Sequence, residues 1–376
     1  MSTVFVGLMS GTSLDGIDAV AADFGADSAF THLRVLAHAR LDLAAPLRAE
    51  LLALNRSSGD EIHRAALAAN ALARSYAELV ATLLDRAGLG REDVVAIGCH
   101  GQTVRHRPGE FDGTGYTVQL NAPALLAELS CIDVVADFRS RDVAAGGQGA
   151  PLVPAFHRAM FGREGASSAV LNLGGIANLT CIDAEGVTLG FDCGPANALL
   201  DMWCASATGE RYDDGGAWGA TGHVDARLLA LLFAEPYFAR PAPKSTGRDL
   251  FDRDWLDARL TESGATGRLK PEDVQSTLAE LTANTCADAC RRYAGSAAEL
   301  IVCGGGAFNV DLTARLRKLL SPMRVIDSGE RGVPPEQVEA TAFAWLARAF
   351  VTRRPGNIAS VTGAAGPRLL GALYPA

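Results

Sequence analysis

Val4-Phe5-Val6-Gly7-Leu8-Met9-Ser10-Gly11-Thr12-Ser13-Leu14-Asp15-Gly16-Ile17-Asp18-Ala19-Val20-Ala21-Ala22-Asp23-Phe24 decides the fold class. It reads as a strand over Val4 to Met9, a small polar turn at Ser10-Gly11-Thr12-Ser13, and a second strand over Ile17 to Phe24. Apolar residues fill both strands and glycine sits in the turn, the signature of a hairpin whose loop lets backbone approach a ligand. The pattern returns at Ala169, with a strand to Leu173, a Gly174-Gly175 turn, and strands over Ala177 to Ile182 and Val187 to Phe191. Two such hairpins in one chain imply an internal duplication. A third strand and glycine unit follows, Leu300 to Cys303 and then Gly304-Gly305-Gly306, leading into a helix over Val310 to Leu320.

Between these units strands and helices alternate, which predicts an α/β architecture. A strand is expected over Arg34 to Leu43, an amphipathic helix from Glu61, and a strand over Val94 to Cys99. The loop His100-Gly101-Gln102-Thr103 comes next, then a strand near Tyr116 to Leu120 and a helix from Pro123 to Leu129. Further helices are expected over Pro195 to Thr208, Val224 to Phe233, Pro271 to Tyr293 and Glu336 to Val351. Proline at the first position and acids in the first turn mark the start of the third of these.

Bulk properties narrow the function. The chain has 376 residues, 48% of them hydrophobic, enough for a large core in two lobes. A net charge of −9 offers no basic field to a phosphate polymer, so nucleic acid is not an expected partner. The first twenty residues carry Asp15 and Asp18 and no Lys or Arg, unlike an export signal, and the apolar run Leu228 to Ala234 falls far short of the roughly 20 residues that span a bilayer. A cytoplasmic protein without a membrane partner is expected. Its 8 cysteines show no C-x-x-C pair and no zinc spacing, so buried free thiols are expected, with no role for Cys286 and Cys290 beyond the core.

Three glycine loops, each directly after a strand, suit a protein whose backbone N–H groups wrap several phosphates. Each alone reads equally as an ordinary turn. No G-x-x-x-x-G-K-[ST] occurs and no complete G-x-G-x-x-G opens a helix, which disfavours the P-loop and dinucleotide-binding classes. As a set, Gly11 to Asp18, Leu173 to Asn178 and Cys303 to Asn309 resemble the sugar kinase, heat-shock ATPase and actin superfamily. The wording of Gly7 to Asp18, His100-Gly101-Gln102-Thr103, Asn172 to Asn178, Phe191-Asp192-Cys193-Gly194-Pro195-Ala196-Asn197, Gly304 to Ala307, Val338-Glu339-Ala340 and Ser360-Val361-Thr362-Gly363-Ala364 is similar to the anhydro-N-acetylmuramic acid kinase family, across nearly the whole chain.

That resemblance implies a two-lobed actin-like, ribonuclease H-like α/β ATPase fold with duplicated lobes around a central cleft. The first lobe is expected over 1–128 plus 352–376 and the second over 129–351. It also implies an ATP-dependent and Mg²⁺-dependent kinase, acting in peptidoglycan recycling as a homodimer. Such an enzyme opens the bridge of 1,6-anhydro-N-acetylmuramic acid with water and phosphorylates the freed oxygen, giving N-acetylmuramic acid 6-phosphate. Gly11, Thr12, Ser13, Leu14, Asp15, Gly16, Ile17, Asp18, Gly174, Gly175, Asn178, Gly304, Gly305 and Gly306 would bind ATP. Asp15 or Asp18 would serve the metal, although Asp in such a loop also stabilises turns.

Asp192, before Gly194-Pro195, either caps the helix that follows or acts as general base, and the resemblance assigns it the base. The family pattern there reads Asp-Thr-Gly-Pro-Gly-Asn; Cys193 and Ala196 depart from it. His100, Gln102 and Thr103 offer donors and acceptors for sugar hydroxyls, and Arg105 or Arg139 for the lactyl carboxylate. Glu339 falls near a helix start, where an acid suits the dipole, and in a motif that places it in the sugar site. The competing classes are an actin-like kinase for another sugar and a non-enzymatic actin-like nucleotide-binding protein.

Overall fold

The computed structural model describes residues 2–11, 14, 16–26, 32–247 and 250–376. Thr12, Ser13 and Asp15 therefore lie outside the described residues. The chain divides into two units, residues 1–160 with 337–376, and residues 161–336.

In the first unit the strands are β1 (Val4–Ser10), β2 (Ile17–Asp23), β3 (Arg34–Leu41), β4 (Val94–Cys99), β5 (Gln102–Pro108), β6 (Gly115–Leu120), β7 (Val134–Ala136) and β13 (Ala372–Tyr374). The main sheet runs β13-β7-β4-β1-β2-β3. β1 pairs antiparallel with β2, closing the hairpin at Ser10 opposite Ile17, and parallel with β4, with Gly7 opposite Gly98. One face is sealed by the helix Glu61–Ala87, whose Leu72, Tyr76, Leu79 and Leu83 pack on Val6, Leu8, Ile17 and Ile97. These fall at helical spacing, so one apolar stripe meets the sheet and the other face stays polar.

The second unit holds β8 (Ser168–Leu173), β9 (Ile176–Ile182), β10 (Thr188–Pro195), β11 (Glu299–Cys303) and β12 (Arg324–Asp327), in the order β10-β9-β8-β11-β12. β8-β9-β10 is an antiparallel meander and β8-β11-β12 is parallel. The order third, second, first, fourth, fifth is that of β3-β2-β1-β4-β7, so the duplication read from the hairpins extends to both sheets. Helices Pro271–Tyr293 and Val310–Leu320 supply Cys286, Cys290, Leu312 and Leu316 to a core with Leu171, Leu179, Phe191 and Val302. A smaller cluster around Leu228, Tyr237, Phe251, Leu256 and Leu278 fills the insertion between β10 and β11.

Several expectations shift. Helix Ala45–Ala53 had no sequence signal beyond its proline start, and Gln102 already begins β5, which pairs with β6 as a separate two-stranded sheet. Helix Asn197–Thr208 starts two positions later than expected because β10 continues through Pro195. Seven of the cysteines are buried and free as expected; Cys131, in a left-handed turn after the helix Pro123–Ser130, is exposed. Residues 129–160 and the helix Val338–Val351, expected in the second lobe, fall in the first unit, where that helix lies directly on β1 and β4.

Candidate active site

The first unit presents the loop between β1 and β2 and a polar cluster beyond β4. Among the described loop residues, Leu14 is buried at φ 55 and its N–H donates to the Gly11 carbonyl at 3.1 Å. Gly16 carries no side chain because a Cβ there would sit 3.0 Å from the Leu41 carbonyl and 3.2 Å from the Arg40 guanidinium. Asp18 receives Nε2 of His38 at 3.0 Å and Nη1 of Arg40 at 3.4 Å, and its carboxylate stays partly exposed. Ser10, at the hairpin's edge, shares a hydrogen bond of 2.9 Å with the buried Tyr76 hydroxyl and donates to the Gly101 carbonyl at 3.2 Å.

Past Gly101 the sequence candidates divide. His100 is buried, its ring centroid 4.7 Å from that of Phe343. Nε and Nη2 of Arg139 donate to Nε2 of His100 at 3.1 and 2.9 Å. A guanidinium only donates, so Nε2 must carry the lone pair and the imidazole is neutral. Burial, then the Arg139 charge, hold His100 well below its usual pKa, which agrees. Arg139 is itself brought down to about 10 by burial, against the pull of Glu339 and Asp142, so it keeps its charge at neutral pH. Glu339 and Arg139 are thus brought into one electrostatic neighbourhood. Arg105 is not: it makes a 2.8 Å ion pair with Glu61 and donates to the Leu54 carbonyl at 3.3 Å. Gln102 is buried, and its Oε1 has no hydrogen-bond partner among the described residues, an acceptor waiting for a donor. Thr103 takes the Gln119 amide at 3.2 Å.

In the second unit Asp192 lies within β10, not beyond it, at a bulge. Asp192 faces Asn178 on β9 while Gly194 faces Ala177, leaving Cys193 as the extra residue. The carboxylate at the bulge takes donors from β9 and from the insertion. Asn178 Nδ2 donates to Oδ1 at 2.9 Å and the Thr246 N–H to Oδ2 at 3.0 Å. The Asp192 backbone is clamped as well, its N–H donating to the Lys244 carbonyl at 3.0 Å and its carbonyl accepting the Tyr237 hydroxyl at 2.7 Å. Burial raises the Asp192 pKa, and the two donors to its carboxylate only partly offset that. It caps no helix; the first helical residue after it is Asn197, whose cap position is Ala196.

The second hairpin turn and the third glycine loop meet at the carboxyl ends of β8 and β11. Ala196 and Ala198 donate their N–H groups to the Gly175 carbonyl at 3.0 Å, and Asn197 donates to Gly174 at 3.1 Å, tying the helix start to the turn. Gly304 has φ 80, and a Cβ there would stand 2.3 Å from Oδ1 of Asn172 and 2.9 Å from the Leu173 carbonyl. Gly306 lies as close to Leu173, where a Cβ would approach its Cβ to 2.6 Å. Gly304→Ala is expected to cost about 2 kcal/mol or more, through left-handed strain plus overlap with backbone. Urea unfolding against the unmodified chain measures it.

The family profile for anhydro-N-acetylmuramic acid kinase matches residues 3–376. The chain belongs to the anhydro-N-acetylmuramic acid kinase family. It is similar to the anhydro-N-acetylmuramic acid kinase of Albidiferax ferrireducens, 56% identical and covering 100% of both chains. To the same-named protein of Variovorax paradoxus it is 58% identical over 99% of each. Among solved structures, an activator of the 2-hydroxyisocaproyl-CoA dehydratase from Clostridium difficile with bound ADPNP matches 93% of this chain and 96% of its own, at a TM-score of 0.50 and 13% identity. At that identity the likeness is one of fold alone, the two-lobed actin-like fold.

Family membership makes the chain an ATP-using kinase of sugar metabolism. Residues that sequence reading missed are those that hold Asp192: Thr246 and Lys244 in a stretch with no motif, and Tyr237 in the insertion. Lys244 sits 4.6 Å above the Tyr237 ring and donates to the Tyr237 and Phe238 carbonyls at 3.1 Å. A Cβ at Gly194 would lie 2.7 Å from the Phe238 ring, so the glycine of the Asp192 motif serves this packing. A conspicuous Lys in an aromatic insertion was the one signal available, and nothing in its spacing tied it to Asp192.

Proposed function

We propose that this chain phosphorylates 1,6-anhydro-N-acetylmuramic acid with ATP while opening its anhydro bridge, yielding N-acetylmuramic acid 6-phosphate for peptidoglycan recycling. The observation that carries the reading is the Asp192 carboxylate, fixed by Asn178 and the Thr246 N–H and raised in pKa by burial. A general base works best when its pKa is moved toward the operating pH and its geometry is fixed beforehand. Asp192 takes a proton from water, the water oxygen bonds to the anomeric carbon, and the bond from that carbon to the bridge oxygen breaks. The bridge oxygen stays on C6 and takes the γ-phosphoryl group as ADP leaves.

The ATP phosphates are assigned to the glycine segments Gly11 to Asp18, Gly174-Gly175 with Asn178, and Gly304 to Gly306, as the family resemblance implies. Mg²⁺ arriving with ATP needs only one or two protein carboxylates besides phosphates and water, and Asp18, partly exposed and oriented by His38 and Arg40, suits that demand. Bound there, the ion would neutralise charge on the transferring phosphoryl group. Gln102, whose buried Oε1 has no hydrogen-bond partner among the described residues, would accept from a sugar hydroxyl, with His100, Thr103 and Glu339 as further sugar ligands. Of the two arginine candidates Arg139 suits the lactyl carboxylate, since Arg105 is already neutralised by Glu61. A cytoplasmic homodimer accords with the use of ATP and with the family resemblance.

Mass spectrometry of the product from 1,6-anhydro-N-acetylmuramic acid and ATP is the test. A species heavier by one phosphate and one water, carrying label from ¹⁸O water at the anomeric hydroxyl, is expected. ATP binding without that product, or turnover of another sugar in its place, would refute the substrate assignment.

A further inference from the structure

The tail motif Ser360 to Ala364 is left without a task by the site described so far, and Asp142 is its point of contact. Asp142 is fully buried, and its carboxylate takes three neutral donors. Oδ2 accepts the Gly149 N–H at 2.8 Å, and Oδ1 accepts Nδ2 of Asn357 at 2.6 Å and the Thr362 hydroxyl at 2.7 Å. The neighbouring backbones are tied too, Gln148 donating to the Thr362 carbonyl at 2.7 Å and Ala365 to the Ala145 carbonyl at 2.8 Å. Gly147 makes room, since a Cβ there would stand 2.2 Å from Asp142 Oδ2. Gly149 turns the network toward the site: its carbonyl accepts Nη1 of Arg139 at 2.7 Å, and the Nε–Nη2 edge of that guanidinium is held by Nε2 of His100, which leaves one N–H each on Nη1 and Nη2 for a substrate carboxylate.

A carboxyl group taken wholly out of water is costly unless it is hydrogen-bonded. Packing alone would be served as well by an apolar residue, whereas a carboxyl group with three directional bonds fixes the loop 140–149 in one geometry. We propose that the segment Asn357 to Thr362 is a strap that positions Arg139, through Asp142 and Gly149, and thereby sets the affinity of the site for a substrate carboxylate. This rests on the reading that Arg139 meets the lactyl carboxylate. Asp142, Asn357 and Thr362 are positioning residues; none touches the sugar.

The test uses Thr362→Val, which keeps shape and removes one donor, with Thr362→Ser as the rescue and Asn357→Ser as a second variant should the first fold poorly. KM and kcat are measured for the acid substrate and for its methyl ester. Thr362→Val is expected to raise KM for the acid about tenfold, the effect of one hydrogen bond lost from a charged network, with kcat nearly unchanged. KM for the ester should stay put, and Thr362→Ser should restore the acid. In histidine-labelled protein the ¹⁵N resonance of His100 Nε2 should move toward that of an unbonded imidazole. Equal losses for acid and ester, with His100 unmoved, would show a strap that only stabilises and would overturn the proposal. Arg139→Met separates the layers. If it abolishes the preference for acid over ester while Thr362→Val leaves that preference intact, the strap proposal alone fails. If Arg139→Met itself keeps the preference, the carboxylate binds elsewhere and both readings fall.

Discussion

Asp192→Asn is expected to lower kcat by on the order of 10³-fold, the usual contribution of a positioned general base, while binding of ATP analogues persists. Single-turnover product formation, with analogue binding measured beside it, checks both halves. The substitution keeps the shape of the side chain and its place on the β10 bulge, so the backbone clamp by Lys244 and Tyr237 survives. What is lost is the capacity to take a proton. The pH dependence follows from the same carboxylate. Because burial raises its pKa, kcat/KM of the unmodified chain should fall with acid through a pKa above the ordinary Asp value of about 3.9. Stability moves the other way. A carboxyl whose folded pKa is raised binds its proton more tightly folded than unfolded, so it favours folding below the unfolded pKa, and that contribution is lost as pH rises through the folded one. Removal of Asn178 or of the Thr246 N–H takes away a donor to the ionised form and should push the acid limb higher still. An Asp192→Asn chain that turns over at the normal rate would leave the water to be activated elsewhere.

Why some of this was legible in sequence and some was not has a physical basis. Hairpins announce themselves locally, by apolar strands around glycine, so β1-β2 and β8-β9 were readable from their own residues. The sheet order was not readable, because parallel pairing of β1 with β4 or β8 with β11 joins segments far apart in the chain. The Asp192 motif was visible, but its conformation was not. A bulge at Cys193 leaves no compositional mark, and the donors Asn178 and Thr246 come from a strand and from an insertion whose only signal is aromatic content. Between Arg105 and Arg139 the sequence offered no choice. Arg139 is proposed on burial and partners, one guanidinium being spent on Glu61 and the other turned to His100. The helix Val338–Val351 shows most clearly what sequence reading lacks. Its residues are buried almost all round, Val338, Ala340, Phe343, Ala344 and Ala347 among them, so no polar stripe declared which sheet it covers. Its position in the chain suggested the second lobe, whereas glycines in β1 and β4 decide otherwise.

Those glycines carry the largest expected loss of stability. Gly7 and Gly98 are register partners on adjacent parallel strands, and the helix Val338–Val351 rests its backbone on them. A Cβ at Gly7 would stand 1.9 Å from the Ala340 carbonyl oxygen and 2.7 Å from the Ala344 nitrogen. At Gly98 it would stand 2.0 Å from the Phe343 carbonyl oxygen and 3.0 Å from the Ala347 Cβ. Backbone in a helix cannot yield locally as the end of a side chain can, so relief requires the whole helix to lift from the sheet. Lifting it unpacks Phe343 from Phe138 and from the His100 ring, at centroid distances of 5.6 and 4.7 Å. Gly98→Ala is therefore expected to lose about 3 kcal/mol or more, above the ordinary range for overpacking because backbone is what must move. Gly98→Val, with two further methyl groups, is expected to be recovered only as unfolded or aggregated chain. Gly59→Ala is the control, since nothing lies within 4 Å of a Cβ there, and its effect should stay within about 0.5 kcal/mol. Urea unfolding of the Ala variants and soluble yield of the Val variant measure the contrast. In Gly98→Ala the His100 environment should change along with stability, because the helix that overlaps the new methyl group is the one that carries Phe343 to His100. Equal stabilities for Gly98→Ala and Gly59→Ala would mean that the helix sits farther from the strands than these distances require.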